Sequence, residues 1–161
     1  MLVKNIIDED FINYKKPCMF ISTCFCDWKC CKEANMPTTV CQNYNINSDD
    51  NISVKISDIY KRYISNPISK AIVIGGLEPL KQSNDLLDLI QYFRQRKCFD
   101  DIVIYTGYNE NEISDFTLLI KERFTNIYIK FGRFVPDQQI HYDKILGVNL
   151  SSDNQKGVKI C

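Results

Sequence analysis

The sequence predicts an α/β protein, a parallel sheet with alternating helices. Two patterns carry that expectation: short apolar runs alternate with stretches of helical periodicity, and the run Ala71–Ile74 (AIVI) has no polar face, as in a strand buried on both sides. A third pattern points to where function sits. Each apolar run leads straight into a segment with chemical character, and in parallel sheets ligands gather at the carboxyl ends of strands.

The elements follow in order. Met19–Thr23 (MFIST) reads as a short strand, and a cysteine-rich loop leaves from its end. Residues 42–53, rich in Asn, Asp and Ser, read as a solvent-facing loop. Ser57 can cap a helix whose Ile59, Tyr60, Tyr63 and Ile64 share one face, and Asn66-Pro67 ends it. After AIVI and GGLEP, a helix is expected from about Ser83 to Lys97, with Leu86, Leu87, Ile90 and Phe93 as its apolar stripe. Asp101–Thr106 (DIVIYT) is the next strand and closes on Gly107-Tyr108. Asn109 with Glu112 three residues on resembles a capping box, and Ile113, Phe116 and Ile120 give the following helix its buried face. Asn126–Phe131 (NIYIKF) is a fourth strand, and ILGVNL and GVKI add one or two short ones.

Composition bounds the function. A chain of 161 residues, 45% hydrophobic and 25% charged, suits one domain spanning 1–161 with a real core. Twenty basic residues balance twenty acidic ones, so no nucleic-acid or anionic-membrane partner is expected. The start MLVKNIIDEDF carries acids where a signal peptide carries an apolar core, and no apolar run approaches a membrane span. A cytoplasmic location is therefore expected. There the eight cysteines are thiols rather than disulfides.

Five of those cysteines, Cys24, Cys26, Cys30, Cys31 and Cys41, crowd the loop after MFIST. Thiolates so close together suit a soft metal centre, and an iron-sulfur cluster is the leading reading. A structural zinc site is the alternative, since four thiolates from this set would also serve zinc. Trp28 either shields the centre from water or meets a partner. His141, the single histidine, reads as a packing or surface residue, so no histidine-based acid-base mechanism has support. Cys18, Cys98 and Cys161 read as free thiols, the first two buried.

The segments MFISTC, GGLEPL, DIVIYTGY and GRF followed by SSDNQ occur in the same order as in the radical S-adenosylmethionine (radical SAM) enzymes. The chain most resembles, among them, the small activating proteins of anaerobic ribonucleotide reductase. The resemblance implies a small partial (β/α) barrel, a 4Fe-4S cluster and S-adenosylmethionine as cofactors, and a cytoplasmic, anaerobic oxidoreductase. Such an enzyme cleaves S-adenosylmethionine reductively and makes a glycyl radical on a partner enzyme, with a one-electron donor such as flavodoxin or ferredoxin. The family holds three irons with a C-x3-C-x2-C loop. Cys26 and Cys30 have the first spacing, but position 33 is Glu33; Val40-Cys41-Gln42-Asn43 resembles the end of the activase loop, which makes Cys41 the third ligand after an insertion, with Cys31 the other candidate. Distance from the strand favours Cys24 as the first ligand, and spacing to Cys30 favours Cys26, which we adopt. By the same resemblance Gly75, Gly76 and Glu78 meet the cofactor's amino group, and Thr106, Ser152 and Asn154 line its nucleoside end. A non-enzymatic zinc or iron-sulfur interaction or electron-transfer domain is the alternative function. The chain has little length left for a lid, so a partner protein is expected to cover the site.

Overall fold

The computed structural model describes residues 1–161. The strands are β1 (Leu2–Val3), β2 (Asn5–Asp10), β3 (Cys18–Thr23), β4 (Ile52–Ser53), β5 (Ala71–Gly76), β6 (Asp101–Tyr105), β7 (Ile127–Phe131), β8 (His141–Asp143), β9 (Val148–Leu150) and β10 (Lys156–Lys159). The helices are α1 (Lys29–Glu33), α2 (Ile56–Ser65), α3 (Ser83–Gln95) and α4 (Ser114–Arg123). Six strands form one sheet in the order β10-β7-β6-β5-β3-β2. Its four central strands run parallel, as expected, and the outer β2 and β10 are antiparallel. The sheet stays open, with β2 and β10 as its edges, and no closed barrel forms.

Strand alternation divides the core into two layers. Ile72 and Ile74 of β5, Ile102 and Ile104 of β6, and Ile127 and Ile129 of β7 pack on one face, where Leu86, Leu89, Ile90 and Phe93 of α3 and Ile59 and Tyr63 of α2 cover them. The other face carries Cys18, Ala71, Val73, Val103 and Tyr128, covered by Tyr14, Leu146 and Leu150. Helices thus take one face only. Loop 11–16 and the β8-β9 hairpin take the other, and that asymmetry leaves room for a cavity there.

Several expectations are corrected in detail. Lys55 stands at the N-cap of α2, which has no side-chain cap, and Ser57 lies inside the first turn with its hydroxyl on Asp58; Ile64 points outward, 55% exposed. Leu89, not Leu87, completes the buried face of α3 with Leu86, Ile90 and Phe93, and the helix ends at Gln95 rather than Lys97. The Arg94 guanidinium there donates to the carbonyls of Cys98, Asp100 and Thr125, which binds the helix end to the starts of β6 and β7. The Asn109–Glu112 pair caps a short 3-10 turn, Glu110–Glu112, and α4 starts after it. ILGVNL supplies β9, which joins β8 in a separate hairpin, while GVKI contributes β10 to the main sheet. Cys18 is buried, but Cys98 is only half-buried. No helix is long and apolar enough to cross a membrane.

Candidate iron-sulfur site

The parallel register brings the motif-bearing strand ends side by side. Ser22 and Thr23 of β3 face Gly75 and Gly76 of β5, and the Thr23 hydroxyl donates to the Gly75 carbonyl at 2.9 Å. The cysteine loop is then pinned across the rim. Cys24 N–H donates to Gln82 Oε1 (2.8 Å), and Glu78 N–H donates to the Phe25 carbonyl (2.8 Å). The far end of the loop is held too, since Asn43 Nδ2 donates to the Gly76 carbonyl at 2.7 Å. Gly76 has φ +80, and a Cβ there would meet Ser22 at 3.0 Å, so the close approach of the two strand ends depends on glycine.

Between these segments lies a cavity of about 270 Å³, near the small end of ligand-binding sites. Cys26, Cys30 and Cys41 all border it; Cys24 and Cys31 do not, and both are buried. Cys31 Sγ is 3.8 Å from Cys30 Sγ. Cys26 Sγ accepts from Trp28 N–H at 3.3 Å, and Trp28 itself packs against Tyr44. The neighbouring Cys41 thiol holds the Cys30 thiol well below its ordinary range, and the same interaction together with burial raises Cys41. Burial pushes Cys26 up to about 11. No three His, Cys, Asp or Glu side chains are gathered as the ligand set of a single ion.

The remaining residues of the predicted site divide. Gly76, Glu78 and Thr106 border the cavity together with Gly107. Glu78 is buried and joins two motifs: Oε1 accepts from the Thr106 hydroxyl (2.8 Å) and Leu80 N–H (3.1 Å), and Oε2 accepts from Gly107 N–H (2.8 Å). Burial raises its pKa despite those three donors. Gly75 stands behind the wall, where a Cβ would meet Phe20 and Tyr105 at 3.2 Å. Ser152 and Asn154 do not border the cavity; the Ser152 hydroxyl donates to the Val135 carbonyl (3.0 Å), and Asn154 Nδ2 donates to the Arg133 carbonyl (3.0 Å). Their neighbours Ser151 and Gln155 face it instead.

Sequence reasoning missed Lys130. It stands on β7, buried, borders the cavity, and donates from Nζ to the Gly132 carbonyl at 2.8 Å. No carboxylate pairs with it. The readable signal was a lone lysine in the otherwise apolar strand NIYIKF. Burial lowers its pKa to about 8. A folded value below the ordinary 10.5 means that the charged form carries a cost in the native state, absent above that value and full below about 8. Lys130→Met is accordingly expected to stabilise the cluster-free protein by about 1–3 kcal/mol at neutral pH and by little near pH 11. Thermal melts of both proteins across that range check it.

The cavity at the carboxyl rim of the parallel sheet is bordered by three free thiols, a donor set of the kind an iron-sulfur centre requires. The family model described as "4Fe-4S single cluster domain" matches residues 15–155, and the chain belongs to that family. It is an iron-sulfur protein, with a 4Fe-4S cluster as its metal group. No curated protein and no solved structure matches the chain.

Proposed function

We propose that this protein is a radical SAM enzyme, with Cys26, Cys30 and Cys41 as the three ligands of its cluster. The observation that carries the reading is that those three thiols border one cavity with Gly76, Glu78, Thr106 and Gly107, residues of the GGLEP and TGY segments. A cluster held by these three thiolates would leave one iron open and supply one electron, the chemistry that would split S-adenosylmethionine into methionine and a 5'-deoxyadenosyl radical.

The chain's own residues give this chemistry its setting. Glu78 fixes the TGY turn against the GGLEP turn, so the two turns that border the cavity keep one separation. Its two carboxylate oxygens already accept from the protein, which makes Glu78 an organiser of the wall more than a free acceptor. Lys130 presents a buried ammonium with a single protein acceptor, a counter-charge for an acidic group in the cavity. Phe20 and Tyr105 close its inner side with apolar surface.

In this reading the radical passes to a glycyl radical enzyme of the anaerobic ribonucleotide reductase kind, and flavodoxin or ferredoxin supplies the electron. Support for a protein partner comes from the rim, where Ile12 borders the cavity while 77% exposed, with Phe11 63% exposed beside it. Anaerobic reconstitution with iron and sulfide, then reduction with S-adenosylmethionine present, tests the proposal. The expected result is 5'-deoxyadenosine in step with methionine. A cluster that forms without releasing either product would leave electron transfer as the function, and uptake of about one zinc with no cluster would leave a zinc-stabilised interaction domain.

A further inference from the structure

We propose that Arg133 is the positioning residue of the cysteine loop, gripping Glu33 at the end of α1 and Glu112 on the sheet rim so that the helix carrying Cys30 is held in one place. The inference rests on the cluster reading above and adds to it the device that orients one of its ligands.

The geometry is specific. Arg133 Nη1 and Nη2 donate to Glu112 Oε2 and Oε1 at 2.6 and 2.7 Å, a bidentate pair, and Nη2 also donates to Glu33 Oε1 at 3.1 Å. Arg133 Nε lies 2.8 Å from Glu33 Oε2, though not aligned as a hydrogen bond. Lys29, at the other end of α1, pairs with Glu112 as well and lies 3.8 Å from Glu33. One guanidinium thus joins the two carboxylates, and one of those carboxylates also joins the first turn of α1.

Exposed ion pairs contribute little, because solvent screens them and side-chain freedom is lost. This one differs in that the Arg133 side chain is only 9% exposed and its fork is matched bidentately. It also acts on an element that cannot hold itself. The helix α1 has five residues, starts from Trp28 in the left-handed region without a side-chain cap, and is too short to be stable alone. Glu33 stands where the C-x3-C-x2-C pattern would have its third cysteine. The side chain at that position here turns to Arg133, and Cys41 borders the cavity after the intervening stretch. The exchange of a ligand for an anchor explains how a longer loop can still present Cys30 in a fixed place.

The test compares wild type with Arg133→Gln, Arg133→Lys and Glu33→Gln in the full chain. Hydrogen exchange at amides 29–33 of the cluster-free protein reads the clamp itself, and it needs no cluster. In reconstituted protein, the rate of iron loss to a chelator and the electron paramagnetic resonance spectrum of the reduced cluster read its effect on the ligand. Arg133→Gln is expected to speed both exchange and iron loss about tenfold and to broaden the spectrum, with partial rescue in Arg133→Lys. Glu33→Gln, at a half-exposed position, should act in the same direction and add little to Arg133→Gln, as members of one network do. Unchanged exchange at 29–33 in both Arg133→Gln and Glu33→Gln would overturn the clamp. Faster exchange with iron loss and spectrum as in wild type would also overturn it, as a device for the ligand. If wild type forms no cluster the reading of the site fails, and the exchange result still decides whether Arg133 holds the helix.

Discussion

Replacing Cys26, Cys30 or Cys41 by serine, one at a time, should each abolish a stable cluster, whereas Cys24→Ser and Cys31→Ser should retain it. The three former residues border the cavity and the two latter are buried away from it. Loss of a direct ligand should exceed the 10–100-fold weakening that follows loss of an outer-shell partner, so cluster retention should fall by more than about 100-fold. Iron and sulfide content after anaerobic reconstitution and desalting measures this. A stable cluster in Cys41→Ser, or its loss in Cys31→Ser, would overturn the ligand assignment. A further variant makes the geometry decisive. Adding Glu33→Cys to Cys41→Ser restores the C-x3-C-x2-C spacing in sequence, yet it should not rescue the cluster, because position 33 directs its side chain to Arg133 and does not border the cavity.

The second large effect is expected at Glu78. Its carboxylate is the shared acceptor for Thr106, Leu80 and Gly107, and Glu78→Ala leaves the buried Thr106 hydroxyl and the half-buried Leu80 and Gly107 N–H groups without that partner. Unmet buried donors cost about 1–3 kcal/mol each, and solvent entering the vacated space offsets part of that, so a loss of about 3 kcal/mol is expected. For a chain of this size the melting temperature should fall by about 6–12 °C. The pH dependence has a definite sign. Burial raises the folded pKa of Glu78 above the ordinary 4.5, so its titration contributes stability that is fully present below 4.5 and is lost as pH rises through the raised value. Wild type should therefore lose stability relative to Glu78→Gln as pH climbs out of the acid range. A constant difference between the two across that range would show that the carboxylate is not desolvated as the structure has it.

Much of this architecture was legible beforehand because it is written in local pattern. The run AIVI has the pattern of a strand covered on both faces, and the Leu86, Ile90 and Phe93 spacing that of a helix lying on a sheet; both form as read. The edge strands were not legible. NIIDED in β2 alternates only weakly and is stabilised by pairing with β3, while Leu2–Val3 and Ile52–Ser53 form a two-residue pair whose partners are distant in sequence. The short α1 was hidden for the same reason, since five residues following an uncapped Trp28 carry no helical signal of their own.

By itself, then, the sequence determined the α/β class, the parallel direction of the central strands, the cysteine loop at a strand's carboxyl end and, through residues 15–155, membership of the 4Fe-4S single cluster family. Only the tertiary structure decided which thiols share a cavity, that Glu78 joins two turns, that Ser151 and Gln155 face inward where Ser152 and Asn154 do not, that Lys130 borders the cavity, and that Arg133 pairs with both Glu33 and Glu112. The division has one physical cause. Periodicity and spacing are properties of neighbours along the chain, whereas burial, pairing of charges and the facing of a side chain into a cavity arise from segments that meet only when the sheet has brought its strand ends together.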